Sequence, residues 1–197
     1  MIATLGYALL GLLAREPLSG YDLAQRLTGR VGFFWQARHS QVYPELVRLE
    51  KAGLVSHTVV EQQDRPDKKV YSVTPEGFAA IRAWVTAPME VSPRRDELLL
   101  KAYSIWLADP AEGAALFREH QRRHLDQQAD YERRVIRLEG EHGAQLQRPG
   151  TPLFATYLTL QRGIGSEREY ASWCGWVAAQ LERGSGAGGP DEEQAEA

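Results

Sequence analysis

Cysteine is nearly absent from this 197-residue chain, in which Cys174 stands alone. One thiol excludes an intrachain disulfide framework and any cysteine-based zinc cluster, and it fits a reducing compartment, so the cytoplasm is the expected location. Long hydrophobic runs are missing as well. The longest, Leu5 to Ala14, is too short to span a membrane and has no basic residue ahead of it as a secretory signal would, so a soluble, unprocessed protein without a membrane partner is expected. Nor is there a large excess of charge. With 25% charged residues and a formal net charge of −3, the chain is neither a highly charged disordered segment nor a uniformly basic nucleic-acid coat, and any surface for a polyanion must be local. Internal repeats of useful length are also lacking. What is present is apolar content, 43% of the residues, which suffices to pack one large domain or two small ones.

Charge divides the chain unevenly: residues 1–88 hold 10 Lys and Arg against 8 Asp and Glu, and residues 89–197 hold 13 against 18. The asymmetry points to two jobs. The break falls around Ala87 to Pro93, where APMEVSP interrupts the helical pattern with two prolines, which predicts domains at 1–88 and 89–183. The remainder, 184–197, is small and acidic with almost nothing to bury, and reads as a disordered tail.

In the first part, Leu5, Leu9, Leu12 and Leu13 recur at helical spacing, which predicts a helix ending before Pro17. Ser19 with Asp22 three residues on resembles a capping box opening a second helix, which carries Tyr21, Leu23, Ala24 and Leu27 to about Thr28. Gly29 ends it. A third helix opens at Ser40, with Val42, Leu46 and Leu49 as its apolar stripe and Gly53 as its stop; Pro44 is tolerated because it sits near the first turn. The β-branched run LVSHTVVEQQ, the turn-prone 64–67 and KKVYSV then read as a hairpin, and Thr74–Pro75 caps a fourth helix reaching Trp84. This element order is that of a winged helix-turn-helix. The second part reads as helical throughout, with Ser92–Pro93, Asp109–Pro110 and Thr151–Pro152 each marking a helix start, the last two helices being long. The predicted fold class is therefore mainly α with a small β-hairpin: an N-terminal winged helix-turn-helix followed by a C-terminal helical domain.

On a helical wheel with Val42 at the centre of the buried face, Ser40, Gln41, Pro44, Val47, Arg48 and Lys51 fall on the opposite side. Ser40 and Gln41 sit at the helix N-terminus, where backbone donors and the dipole favour a phosphate, and Gln41 can also pair with a base edge. Arg48 suits a guanine or a phosphate, and Lys51, near the end that leaves the groove, suits a phosphate. Arg38 and His39 lie just ahead, and Arg65, Lys68 and Lys69 form a basic cluster at the hairpin tip, placed for the backbone or the minor groove. A solvated outer helix face, with tip charges that discourage edge pairing, would read the same way.

Three segments, LGYALLGLLAREPLSGYDLAQRL (5–27), FFWQARHSQVYPELVRLEKAGLV (33–55) and RPDKKVYSVTPEGFAAIRAWV (65–85), resemble the PadR-type transcriptional regulators. RRDELLLKAYSIWL (94–107) looks like the start of their virulence-activator-type C-terminal region. The resemblance implies a homodimeric bacterial regulator, usually a repressor, whose C-terminal helices dimerise and whose recognition helix begins near Ser40, with Tyr43 at its DNA-facing start. A double-stranded operator with palindromic symmetry is the implied partner. The wheel places Tyr43 on the flank of that helix.

Dimerisation also follows from the apolar residues. Leu98, Leu99, Tyr103 and Trp106 fall on one side of their helix, and the last helix carries a long series from Leu153 to Leu181. A connector this short cannot easily bury all of that, so a second copy is the economical cover, a self-contained bundle being the alternative. In the middle helix Phe117, His124 and Tyr131 keep a seven-residue spacing, which Gln121 and Gln128 weaken as a seam. Tyr103, Trp106, Tyr157, Trp173 and Trp176 either line a pocket for a planar aromatic effector, as the resemblance implies for some members, or form dimer core. Other signals do not add up to chemistry. His120 and His124 have metal-ligand spacing with arginines between them, the glycines at 163 and 165 lack the third glycine and a preceding strand, and Cys174 has no histidine near it. No enzyme, cofactor or metal is expected. The competing functional reading is a winged-helix adaptor that binds protein rather than a specific DNA sequence.

Overall fold

The computed structural model describes residues 2–28, 39–61, 67–89 and 95–186. The chain divides into two compact units, Met1–Val91 and Ser92–Ala197. In the first, α1 (Thr4–Leu13), β1 (Leu18–Ser19), α2 (Gly20–Thr28), α3 (His39–Lys51), β2 (Val55–Val60), β3 (Lys68–Val73) and α4 (Pro75–Val85) follow in order. In the second come α5 (Glu97–Tyr103), α6 (Pro110–His142) and α7 (Pro152–Gly186), with short 3-10 turns at Ile105–Leu107 and Gly143–Gln147.

The capping signals act as their chemistry requires. The Ser19 backbone N–H and hydroxyl both donate to the Asp22 carboxylate, and the Asp22 N–H donates back to Ser19 Oγ at 3.2 Å, closing the box at the start of α2. Thr74 Oγ1 accepts from the Gly77 N–H at 3.1 Å and donates to the Gly53 carbonyl at 2.7 Å, so one hydroxyl begins α4 and holds the end of α3. That end is a Schellman turn. Gly53 N–H bonds the Glu50 carbonyl, Leu54 N–H reaches back to Leu49, and Gly53 takes φ +70°, which a side chain would strain.

The sheet has three strands in the order β1-β3-β2, all antiparallel, where the sequence predicts a two-stranded hairpin. The additional strand is Leu18–Ser19, paired with Tyr71 and Val70; two residues are too few to show a strand's period. It ties the entry of α2 to the hairpin. Beneath, Leu9, Leu10, Leu13, Leu23, Leu27, Val42, Leu46 and Leu49 form a continuous buried core with Val55 and Tyr71 from the sheet. Thus α3 is seated by its apolar stripe on α1 and α2, and its other face is left outward.

In the second unit α6 and α7 form a long antiparallel hairpin, recorded by the cross-helix pairs Arg118–Glu182, His124–Glu167 and Tyr157–Glu139. Their common core is Phe117, Cys174, Val177 and Ala178, joined by Leu98 of α5. Asp109 caps α6 through Oδ1 to the Ala111 and Glu112 N–H groups, and Thr151 caps α7 through Phe154. The first helix of this unit departs from the sequence reading. It begins at Glu97, with Asp96 accepting from the Leu99 N–H, and the expected start at Ser92–Pro93 lies outside the described residues. It also ends at Tyr103 and tightens into a 3-10 turn at Ile105–Leu107, which takes Trp106 off the wheel it was to share with Leu98, Leu99 and Tyr103; Leu98 is buried, the other three exposed. Helix α7 continues through Gly186, past the start of the expected tail, and 187–197 lie outside the described residues.

Candidate nucleic-acid interface

Helix α3 separates its residues as the wheel requires. Val42, Leu46 and Leu49 are buried, and Ser40, Gln41, Pro44, Val47, Arg48 and Lys51 are all exposed. With α3 starting at His39, Pro44 lies just past the first turn and brings no N–H to the Ser40 carbonyl. Tyr43 is half exposed on the flank, its ring against Gly20, where a Cβ would come within 2.6 Å of the ring edge. The start of α2 therefore supports the ring from behind. Arg38 and Arg65 lie outside the described residues, and only the backbone of His39 is described.

Two features of this face are not visible in the pattern of basic residues. Glu45 is a charged side chain left only 5% exposed on the inner side of α3, and its Oε2 accepts from Arg48 Nη1 at 3.0 Å. The wheel puts position 45 inside, so burial was legible, but nothing in an i, i+3 spacing says that the two groups meet. The second feature concerns the hairpin. Lys68 Nζ lies 3.0 Å from Asp22 Oδ2, so of the tip lysines one is paired with the capping box of α2, and Lys69 is exposed on the neighbouring position. The Ser19 hydroxyl, with Lys68 adding to it, holds the Asp22 carboxyl below its usual range against a partial burial that opposes it.

A further contact locks the sheet to the same helix. His57 Nδ1 of β2 makes a short bond to Glu50 Oε1 of α3, beside the ring of Tyr71 at 5.5 Å between centroids. Burial, then Glu50 and Tyr43, push the Tyr71 phenol up. The hairpin is thus tied to α3, with Ser40, Gln41, Arg48 and Lys51 exposed on the helix, Lys69 exposed on β3, Lys68 paired with Asp22 and Tyr43 on the flank of α3. Polar and cationic groups on a protruding helix beside a cationic hairpin suit a groove and its flanking phosphates.

The aromatic residues of the second unit fall into separate places. Trp173 packs edge-on against Phe117 and Tyr170, at 5.5 and 5.4 Å between centroids. Trp176 is exposed one turn on, and the two border a shallow, open groove along one face of α7 with Gly165, Arg168, Glu169 and Ser172. Tyr157 is 16 positions before Trp173 on the same helix, about 24 Å away by helical rise, with its hydroxyl on Glu139. Tyr103 and Trp106 stand outward at 83% and 78% exposure. Tyr170 is tied elsewhere: its hydroxyl donates to Asp96 at the start of α5, and its ring lies 4.5 Å from His124, whose Nδ1 is 2.5 Å from Glu167 Oε2. That carboxylate holds the His124 ring through Nδ1 alone. Among the described residues no cluster of three or more His, Cys, Asp or Glu is arranged to hold a metal ion, and no helix is long and apolar enough to cross a membrane.

Residues 9–83 match the family model of the Transcriptional regulator PadR-like family, and residues 94–182 match that of the Virulence activator alpha C-term. The negative transcriptional regulator PadR of Bacillus subtilis is 32% identical over 184 residues, covering 91% of this chain and 98% of its own. The crystal structure of Bacillus subtilis PadR in complex with operator DNA superposes with a TM-score of 0.80 at 30% identity, covering 91% of this chain and 98% of that one. The same protein in complex with p-coumaric acid gives 0.72 at 30% identity, covering 90% and 95%.

Proposed function

The chain belongs to the PadR-like family of transcriptional regulators, and we propose that it acts as a homodimer on a palindromic operator, as a repressor whose grip on DNA responds to a small aromatic ligand. The observation that carries this reading is the outward face of α3, polar and cationic on a helix seated by Val42, Leu46 and Leu49, in a fold whose Bacillus neighbour is seen on operator DNA. Residues 1–88 then form the reading head. The N-terminal turn of α3 enters the major groove, where Gln41 and Arg48 meet base edges, Ser40 and Lys51 meet phosphates, and Arg38, His39, Tyr43 and Pro44 flank them. Arg65, Lys68 and Lys69 lie against the backbone beyond.

Residues 89–183 hold the two heads together. Leu99, Leu100, Tyr103, Trp106 and Leu107 of the first turns of this unit, and Trp176 of α7, are exposed apolar side chains on a single chain, a surface that a second copy covers at a gain of roughly 25 cal/mol per Å² of apolar area. A twofold pair presents two copies of α3 to half-sites one helical turn apart or a small multiple. A ligand that binds one arrangement of the pair more tightly changes the spacing of the heads, and lowers DNA affinity only by that difference. The negative regulation and the p-coumaric acid complex of the Bacillus relative support repression and an aromatic effector, with Trp173 and Trp176 the candidate contacts and spectroscopic reporters.

The test is operator binding in a salt series together with sedimentation of the purified chain. A dimer whose affinity falls steeply as salt rises, and whose tryptophan emission and DNA affinity both shift with p-coumarate, is the expected result. A monomer, or a partner interface indifferent to salt, overturns the reading in favour of a winged-helix adaptor.

A further inference from the structure

We infer that Glu45 is a positioning residue that sets the sequence specificity of Arg48, an inference that rests on α3 being the DNA-reading helix. The geometry is asymmetric. Glu45 is 5% exposed and Arg48 74%, yet the two meet at 3.0 Å through Oε2 and Nη1. One end of the pair is therefore anchored in the core and the other stands in solvent. Side chains on a helix lean toward its N-terminus, so Arg48, three residues after Glu45, is drawn back toward the turn that carries Ser40 and Gln41.

Room for the anchor is made by α1. A Cβ on Gly6 would come within 2.7 Å of Glu45 Oε1, so the carboxylate occupies space that any other residue at position 6 would take. A buried carboxylate on a DNA-binding helix is costly unless paired, and the guanidinium of Arg48 is the pairing group seen. Guanidinium is planar and carries five N–H donors in a fixed fork. With Nη1 held, the guanidinium is kept on the Glu45 side of α3 before DNA arrives, and the donors on Nε and Nη2 remain for a base edge.

The pair has a second consequence. An arginine without a carboxylate beside it is a mobile cation that binds any phosphate within reach, which adds affinity for every sequence equally. Glu45 offsets that charge and spares the directional hydrogen bonds. Preorganisation raises the discrimination of one base pair, and charge compensation lowers non-specific binding; both act on the ratio of specific to random affinity.

The experiment compares the parent chain with Glu45→Gln, Arg48→Ala and the double variant, on the operator recovered by selection from a random duplex pool and on a random duplex of equal length. Glu45→Gln is expected to cut the operator-to-random ratio about tenfold, with random-duplex affinity unchanged or raised, and to relax the same symmetric base position as Arg48→Ala. The double variant should lose no more specificity than Arg48→Ala alone, because Glu45 acts through Arg48. A Glu45→Gln variant with the parent's ratio and base preferences, or losses that simply add, overturns the inference while leaving the DNA-reading assignment intact. If the parent enriches no duplex at all, that assignment falls first and the inference with it. Should the buried substitution impair folding, nuclear magnetic resonance of the parent decides: guanidinium hydrogens of Arg48 rotating more slowly than those of the exposed Arg82 are expected, and equal rates overturn the role of Glu45.

Discussion

Lys68 Nζ rests 3.0 Å from Asp22 Oδ2, which joins the strand leaving the hairpin tip to the capping turn of α2. A lysine at the tip of a wing is ordinarily a solvated cation that gains by meeting phosphate. Here it must first share its charge with a carboxylate already held low by Ser19. The two tip lysines on β3 are therefore unequal. Lys69→Ala should lower the slope of log affinity against log salt by about 0.9, the share of one phosphate contact, and Lys68→Ala by less. Equal slopes for both variants, measured by anisotropy on one duplex, contradict the pairing.

The same carboxylate carries a stability signature. The folded state holds Asp22 below its ordinary value, so its contribution is whole above about pH 4 and fades as the pH falls through the folded value. Asp22→Asn should destabilise the fold at pH 7 by no more than about 1 kcal/mol, read as a lower melting temperature, and flatten the acid limb of stability against pH. An unchanged acid limb would show that the box is not formed in solution.

Arg48→Ala should weaken operator binding by roughly 1–3 kcal/mol while leaving random-duplex affinity within a factor of about two. Binding isotherms on the two duplexes check it, and a uniform loss on both would make Arg48 a phosphate contact.

Gly20→Ala probes Tyr43. The new Cβ would meet the ring edge at 2.6 Å, and a half-exposed ring yields by swinging outward rather than by opening the core. Stability should change by no more than about 1 kcal/mol, while operator affinity falls because the ring leaves its place against the start of α2. A variant with full affinity would remove Tyr43 from the interface.

Much of this was readable before the structure because capping chemistry is local. Ser19 with Asp22, Thr74 with Pro75, Asp109 with Pro110 and Thr151 with Pro152 each mark a boundary through a bond that spans two or three residues. Contacts between distant segments left no such trace. The strand at Leu18–Ser19 exists only because Val70 and Tyr71 pass beside it, and Asp96 caps α5 while also receiving the Tyr170 hydroxyl from α7. The outward face of α3 was legible from Val42, Leu46 and Leu49 alone. That Glu45 meets Arg48, and that Lys68 meets Asp22, depended on side-chain reach across space, which periodicity does not encode.

Cys174 offers a check on the second core. It lies fully buried beside Phe117 and Val177, and burial pushes its thiol up to about 11, leaving about one molecule in a thousand as thiolate at pH 8. A disulfide reagent should label it at the rate of unfolding and no faster. Rapid labelling of the folded chain would place the α6–α7 hairpin in a looser arrangement.

The most direct measurement is selection of duplexes from a random pool by the purified chain, followed by sequencing of what is retained. The account predicts one enriched motif with twofold symmetry, its half-sites one helical turn or a small multiple apart. Retention without enrichment, or an enriched motif with no symmetry, would contradict a paired presentation of α3 to DNA.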